Sequence, residues 1–193
     1  MLIPGDPASI SYRSPAALMR DADLVVIATT GELIEGPDFT VTNESGRVAI
    51  VHLASLTLNV ERVLRGTVKT REPGTLTLRM WLGVGDPGGN DYADTFESLA
   101  ASPISGRGVF FLANLAALNT RMGGPPDHPA VDPYAYQIQG GQGFLRDVGG
   151  RVEPPRLSED ALFTMAGRWQ EDLRGQPFDA LVRSLDAIAA ETP

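Results

Sequence analysis

The feature that most limits how this chain can fold is a long β pattern at residues 47–64. Apolar residues recur there at every second position, and polar residues occupy the positions between them. The apolar set is Val48, Ile50, Ala54, Leu56, Leu58 and Val60, and the polar set is Ser55, Thr57, Asn59 and Glu61. Because this strand is longer than an ordinary sheet needs, we expect it to coil or to contain a bulge, as strands of small barrels do.

Five further segments have the apolar and β-branched composition of strands: residues 24–30, 75–82, 108–113, 134–139 and 143–148. The nearly all-apolar segment at 108–113 is predicted to be central. Gly140 and Gly141 predict a hairpin-like turn between the last two segments. Residues 36–46 are predicted to form a polar loop, because they combine proline, glycine, asparagine and aspartate.

Helices are predicted at both ends of this β region. Ser14 is a suitable N-cap for a short helix through residue 20, and a second short helix is predicted at residues 95–101. Two amphipathic helices follow at residues 158–190, the first ending at Gly175 and the second beginning at Pro177. The apolar stripes of this pair indicate core packing at one end of a barrel, although the same residues would suit a partner.

The order of the elements argues against a parallel sheet, because strands and helices do not alternate. We predict a mainly β (α+β) fold: an antiparallel barrel or coiled sheet of about six strands with a short N-terminal helix and two C-terminal helices at one end. At 193 residues the chain is expected to form a single domain, 1–193, with the barrel at 14–153.

Composition excludes several classes of function. The chain has no cysteine and two histidines, which removes disulfides, thiolate nucleophiles and multi-histidine metal centres. Its net charge of −8 and the absence of a basic run disfavour nucleic-acid binding. No apolar stretch approaches the roughly 20 residues that span a bilayer, so direct membrane insertion is not expected.

Four segments together resemble a recurring pattern of bacterial extracytoplasmic domains. They are Asp21-Ala22-Asp23 with the apolar run to Thr29, Leu58 to Gly66 (LNVERVLRG), Gly108 to Leu112, and Tyr136 to Phe144 (YQIQGGQGF). The first half of that pattern is similar to the OB-like barrel of netrin-type modules and of tissue inhibitors of metalloproteinases. The resemblance implies a binding or envelope-associated domain that is exported behind a signal peptide.

The same resemblance has limits at the start of the chain. Metalloproteinase inhibitors act through an N-terminal cysteine, whereas this chain begins Met1-Leu2 and contains no cysteine, so inhibition does not follow. The first residues also lack the basic and apolar regions of a signal peptide. We therefore expect an extracytoplasmic protein whose leader is absent from this sequence, or otherwise a cytoplasmic one.

One glycine-rich loop contains the candidate metal ligands. Gly83-Val84-Gly85-Asp86-Pro87-Gly88 matches a dinucleotide fingerprint, but no βαβ unit surrounds it and Asp86 stands where a pyrophosphate would bind, so no cofactor is expected. The loop at 83–94 does carry oxygen ligands suited to calcium: Asp86, Asn90, Asp91 and Asp94. Solvated loop acids are the alternative.

A second candidate site is a recognition surface near the glycine-rich turn at 139–143. Aromatic side chains beside exposed backbone can bind a protein or a glycan, and the candidates are Tyr134, Tyr136, Gln142 and Phe144. The alternative is that these rings cover the end of the barrel. His52 is predicted to be a hydrogen-bonded barrel residue, and His128 a solvated loop residue; no nucleophile motif accompanies either one.

These observations predict a noncatalytic binding or interaction module of the bacterial cell envelope, with a protein or glycan as its partner. Two alternatives stay open. One is a carboxylate- or cation-dependent hydrolase that uses the loop at 83–94, and the other is a structural subunit that docks through its C-terminal helices. A catalyst should show His52 or several acids converging in a pocket, whereas a module should show a solvated barrel face and exposed loop aromatics.

Overall fold

The computed structural model describes residues 12–36, 38–42, 46, 48–85, 105–124, 131–139, 143–154 and 168–191. Its strands are β1 (Leu24–Glu35), β2 (Phe39–Thr42), β3 (Val48–Gly66), β4 (Thr75–Gly85), β5 (Arg107–Asn114), β6 (Ala135–Ile138), β7 (Phe144–Val148) and β8 (Arg151–Glu153). Its helices are α1 (Pro15–Asp21), α2 (Leu115–Arg121), α3 (Arg168–Leu173) and α4 (Phe178–Glu191). The predicted mainly β, α+β composition is confirmed.

All eight strands belong to one sheet, whose hydrogen-bonded order is β1-β3-β4-β6-β5-β7-β8, with β2 paired to β3. Strand β1 also pairs with β5. The pairings are antiparallel except that β4 and β6 run parallel at Thr77 and Leu78. Within the described residues, the prediction of about six antiparallel strands is therefore corrected to eight strands with one parallel pairing. Strand β2 lies within the segment predicted as a polar loop, where Phe39, Thr40, Val41 and Thr42 extend the edge of β3.

Strands β6 and β7 do not form the predicted hairpin. Both pair antiparallel with β5, β6 opposite Leu112–Asn114 and β7 opposite Gly108–Phe110, so they follow one another along the same edge. Backbone hydrogen bonds join Gln139 N and Gly143 O to Phe111 across the break. A hairpin is formed instead by β7 and β8. Gly149 and Gly150, which both have positive φ, make the turn between these two strands.

Strand β3 contains the expected irregularity. Its pairing with β4 shifts register between His52 and Leu53, and its pairing with β1 shifts at three places. A bulge reverses which side of the strand faces the core. Ala54, Leu56 and Leu58 are buried as predicted, but Val51 is buried on the other parity and Val48 is 41% exposed.

Alternation along β1 and β5 divides the buried side chains into two clusters. Even-numbered residues join the inner cluster, which lies among the strands: Leu24, Val26, Ala28, Leu56, Leu58, Leu76, Leu78, Phe110, Leu112, Tyr136 and Phe144. Odd-numbered residues of the same strands, Val25, Ile27, Val109 and Phe111, join the outer cluster, which lies between the sheet and the helices. The other members of the outer cluster are Tyr12, Leu18, Met19, Ala22, Leu145, Val152, Phe178, Leu181 and Leu185. Both faces are thus buried over Leu24–Ala28 of β1 and Gly108–Ala113 of β5, which is why these two stretches are almost entirely apolar.

The helices cover a face of the sheet and not an end of a barrel, which corrects the predicted placement. Helix α1 begins as predicted, with Ser14 accepting a hydrogen bond from Ala17 N. Helix α4 buries Phe178, Leu181 and Leu185 in the outer cluster, and Gly175, with φ +75°, separates it from α3. The predicted helix at residues 95–101 and the start of the helix after Ser158 lie outside the described residues. Among the described helices, none combines the length and apolarity needed to cross a bilayer.

Candidate functional site

From Ser55 to Asn59 of β3 and from Thr75 to Arg79 of β4, the side that faces away from the inner cluster is polar. Cross-strand register places its side chains in three opposed pairs, which we call the open face: Ser55 with Arg79, Thr57 with Thr77, and Asn59 with Thr75. None of the six belongs to either apolar cluster, and all except Ser55 are at least partly exposed. Hydroxyl, amide and guanidinium groups are therefore arranged in rows on a rigid sheet.

A charged group lies at one end of the open face. Arg79 donates a hydrogen bond to Ser55 Oγ, and its Nη2 lies 4.0 Å from Asp132 Oδ2. Burial lowers the pKa of the Arg79 guanidinium, while the Asp132 carboxylate opposes that change. Asp132 also accepts hydrogen bonds from Tyr134 N at 2.9 Å and from Arg71 Nη2 at 3.4 Å. The Arg71 guanidinium in turn lies 5.2 Å from the centre of the Tyr134 ring.

The predicted recognition surface is divided by the structure. Tyr134 is exposed and sits beside the open face. Tyr136 and Phe144, by contrast, are buried in the inner cluster, so they present no surface to a partner. The Tyr136 hydroxyl accepts a hydrogen bond from Lys69 N at 2.8 Å, and the Phe144 ring stacks on Phe110 with centroids 4.5 Å apart. Gln142 lies outside the described residues.

His52 is buried, as predicted, and lies beside a carboxylate. Its Nδ1 is 2.9 Å from Oδ2 of Asp38, which precedes β2. Its partner in the β3–β4 register is Gly83, at the start of the predicted cation loop. The candidate ligands of that loop, Asp86 to Asp94, lie outside the described residues, as does His128. Within the described residues, no group of three or more His, Asp or Glu side chains is placed to hold a metal ion.

A cleft of about 860 Å³ opens among α1, α2, α4, the end of β3 and the two residues that precede β1. Its lining contains Tyr12, Arg20, Asp21, Ala22, Asp23, Leu64, Arg65, Gly66, Leu118, Arg121, Gln139 and Ala189. Three of the four segments that carry the family resemblance contribute to it: Ala22-Asp23, Leu64-Arg65-Gly66 and Gln139. The sequence motifs thus converge on this cleft, although no sequence argument pointed to it.

Two arginines of the cleft are held in different ways. Arg121 donates two hydrogen bonds to Asp23, at 2.7 and 3.0 Å, and Asp23 also accepts from Asn114 N. This pairing raises the pKa of Arg121. Arg65 instead donates from Nη1 to two carbonyl oxygens at the end of α1, those of Met19 (2.8 Å) and Ala22 (2.5 Å). Arg65 therefore carries a charge that no described carboxylate pairs with.

Helix α2, which sequence reasoning missed, brings Leu118 and Arg121 to this cleft. The available signal was Asn114, whose side chain accepts a hydrogen bond from Ala117 N and so caps the helix directly after an apolar strand. Arg79 and Asp132 were missed for a different reason. They come from separate elements, and only the β4–β6 pairing brings them together.

Arg107 lies at the border between the open face and the part of the sheet formed by β1 and β5 under α1 and α4, which we call the helix-covered part. This residue donates hydrogen bonds to Glu61 at 2.8 Å and to Asp147 at 2.6 Å, and it lies 5.0 Å from the centre of the Phe178 ring. Burial alone would raise the pKa of Glu61, but hydrogen bonds from Arg107 and Thr29 lower it. The arrangement connects β3, β5 and β7 to the first residue of α4.

The apolar stripe of α4, considered from sequence as a docking face, is occupied within the chain because its three buried residues pack in the outer cluster. Comparison of the chain with family models, with curated proteins and with solved structures found no match.

Proposed function

We propose that this chain is a noncatalytic binding module of the bacterial cell envelope that recognises a glycan through the open face. The observation that carries the proposal is the arrangement of hydroxyl, amide and guanidinium groups on β3 and β4 with the exposed Tyr134 ring beside them. The envelope location is inferred from the family resemblance. Secretion of the full-length gene product, followed by fractionation, tests that part separately.

We further propose that the scaffold is an OB-type barrel of the netrin kind. Five strands support this proposal. Each is hydrogen-bonded to the next in the order β1-β3-β4-β6-β5, and β5 also pairs with β1, which closes the ring. Six residue pairs join β1 to β5, and two join β4 to β6. An OB barrel is a five-stranded Greek-key barrel that binds oligosaccharides or oligonucleotides. The net charge of −8 disfavours the oligonucleotide.

A glycan fits the chemistry of the open face better than a protein does. Thr57, Asn59 and Thr77 offer neutral donors and acceptors that match sugar hydroxyls. Tyr134 offers an aromatic ring, and Arg79 with Asp132 offers a charged donor and acceptor. Cores of protein interfaces are more apolar than the three polar pairs of this face. Apolar residues border these pairs at one end, where Ile34 lies opposite Ser55 and Leu53 pairs with Trp81.

The test is calorimetric titration of the full chain with soluble peptidoglycan fragments and, as a second polysaccharide class, with cello-oligosaccharides. We expect one class to bind with a dissociation constant of roughly 1 mM or tighter. Tyr134→Ala should weaken binding about three- to tenfold by removing the ring, and Asn59→Ala should weaken it by a similar factor. Tyr134→Phe should retain most of the affinity.

Val148→Ala is the matched control, because Val148 is an exposed apolar residue at the β7–β8 hairpin, away from the open face. It should leave the affinity unchanged. Absence of binding by both glycan classes would reject the glycan proposal. Binding that Tyr134→Ala and Asn59→Ala leave unchanged would place the ligand elsewhere and reject the open face.

A hydrolase is the second candidate, and the contact between His52 and Asp38 favours it. A buried imidazole beside a carboxylate is an arrangement used for general bases, and His52 lies opposite the first residue of the loop at 83–94. If this candidate holds, chromogenic esters or phosphoesters will be turned over, with or without added calcium. His52→Gln and Asp38→Asn would both abolish that turnover. No turnover by the wild-type chain would contradict the hydrolase.

A further inference from the structure

The cleft among α1, α2 and α4 contains Arg65, whose guanidinium donates hydrogen bonds from one of its three nitrogens only, within the described residues. Nη1 of Arg65 donates both of its hydrogens, to the carbonyl oxygens of Met19 and Ala22. In the described part of the chain, Nε and Nη2 of the same guanidinium donate to no acceptor. These two nitrogens form the edge that binds a carboxylate or a phosphate through two parallel hydrogen bonds.

The two carbonyl contacts also fix the position of the guanidinium. They tie its far nitrogen to the last turn of α1 and to the residue that follows, so little side-chain freedom is left to lose when a ligand binds. Arg65 is half-buried, which limits competition from water at its hydrogen-bonding edge. The group is therefore prepared for an anion before one arrives.

The charges around the cleft favour an anion locally, although the whole chain is acidic. Arg121 and Asp23 neutralise each other through their two hydrogen bonds. The remaining charged residues of the lining are Arg20, Asp21 and Arg65, which sum to one positive charge. Arg20 is exposed at the end of α1 and forms no ion pair with a described residue.

The remaining walls indicate the rest of the ligand. Leu64, Leu118 and Ala189 line the cleft with apolar surface, and its volume lies within the range of pockets for small organic molecules. We propose that this cleft binds a small organic oxyanion, with its carboxylate or phosphate on the Nε–Nη2 edge of Arg65 and its apolar part against Leu64 and Leu118. The site shares no residue with the open face, so it stands independently of glycan binding.

The experiment is a titration of the full chain with benzoate, with phenyl phosphate and with inorganic phosphate, monitored by chemical shifts of backbone amides. We expect benzoate or phenyl phosphate to bind with a dissociation constant of roughly 1 mM or tighter. Preference between these two probes assigns the oxyanion to a carboxylate or to a phosphate ester. Inorganic phosphate should bind more weakly than phenyl phosphate, because it lacks the ring that contacts the apolar wall.

Substitutions separate the proposed contact from a general charge effect. Arg65→Gln should weaken binding about tenfold or more. Arg65→Lys should stay at least about fivefold weaker than wild type, because an ammonium keeps the charge but lacks the planar edge. Arg62→Gln is the matched control, since Arg62 is an exposed arginine on the same strand that pairs with Asp186 outside the cleft. It should bind like the wild type.

Because Arg65 also holds the end of α1, a second variant keeps the test independent of folding. Arg20→Gln removes a charge that makes no hydrogen bond in the described structure, so we expect about threefold weaker binding with an unchanged melting temperature. Two results would overturn the proposal. One is no shift with either organic probe at about 10 mM; the other is an affinity that Arg65→Gln leaves unchanged.

Discussion

The helix-covered part of the sheet and the open face are two parts of one surface that differ in what lies against them. On β1 and β5, the outward side chains are Val25, Ile27, Val109 and Phe111, and helices α1 and α4 pack over them. On the open face of β3 and β4, the outward side chains are hydroxyl, amide and guanidinium groups. The difference shows which part of the surface is committed to stability and which part is available for a ligand.

The same comparison separates the two apolar clusters. The inner cluster is formed by strands alone, whereas the outer cluster needs residues from both ends of the chain, from Tyr12 to Leu185. Because α4 contributes to the outer cluster and not to the inner one, we expect it to lose protection before the strands unpair. The covered part should therefore respond to substitution in stability, and the open face should respond in binding.

The largest effect is expected in the two clusters. Phe110→Ala in the inner cluster and Phe178→Ala in the outer cluster should each lower the free energy of unfolding by about 3–5 kcal/mol, because each ring is fully buried. Hydrogen exchange should distinguish them. Phe110→Ala should reduce protection throughout the strands, whereas Phe178→Ala should reduce it first in α4 and β8. Equal loss everywhere in both variants would remove the distinction between the clusters.

A comparable effect is expected at Gly66, the last residue of β3, which lines the cleft. Gly66 has φ +87°, and a Cβ there would lie 2.2 Å from the Asp23 carbonyl oxygen. Gly66→Ala should therefore cost about 3 kcal/mol or more in chemical denaturation. Gly74 is the matched control. Its φ is +84°, but nothing lies within 4 Å of a Cβ added at Gly74, so Gly74→Ala should cost about 1 kcal/mol. Equal losses of unfolding free energy in the two variants would show that the contact with the Asp23 carbonyl does not affect stability.

The border residue Arg107 should have a modest, pH-dependent effect. Its partners are partly exposed, so Arg107→Gln should cost about 1 kcal/mol at neutral pH. The folded-state pKa of Glu61 is lowered, so its contribution is present above its unfolded pKa and is lost as the pH falls through the folded value. Wild-type and variant stabilities should converge between about pH 5 and pH 3. A constant difference across that range would contradict this role for Glu61.

The smallest effect is expected on the open face. Thr77→Ser keeps the hydroxyl and removes one partly exposed methyl group, so the free energy of unfolding should change by no more than about 0.5 kcal/mol. A thermal melt measures this directly. A loss comparable to that of Phe178→Ala would mean that the open face is part of the core and is not free for a ligand.

The sequence predicted the elements better than their arrangement. Alternation at Leu56 and Leu58, the Ser14 cap and the start of α4 follow from local rules, and the structure confirms them. The hairpin predicted at 140–141 was wrong because glycines mark a change of direction without specifying which strand is the partner. Here both flanking strands pair with β5. Burial of Tyr136 and Phe144 likewise depends on that pairing.

The candidate sites show the same limit. Tyr134 was identified from sequence because it lies a few residues from the glycine-rich turn at 139–143, which is a local signal. Arg65, Arg79 and Asp132 were not, because each derives its role from a neighbour between 24 and 61 residues away in sequence or from contacts with another element. Long-range register decides these sites, and register is the quantity that a single sequence specifies least.

The measurement that most directly tests the division of the surface is a chemical-shift map of the full chain titrated with soluble peptidoglycan fragments. We predict that perturbed amides cluster on the open face at Thr57, Asn59, Thr77 and Arg79, with Tyr134 among them, while α4 is unaffected. Perturbations centred on α4 and the helix-covered strands, with the open face unchanged, would contradict it.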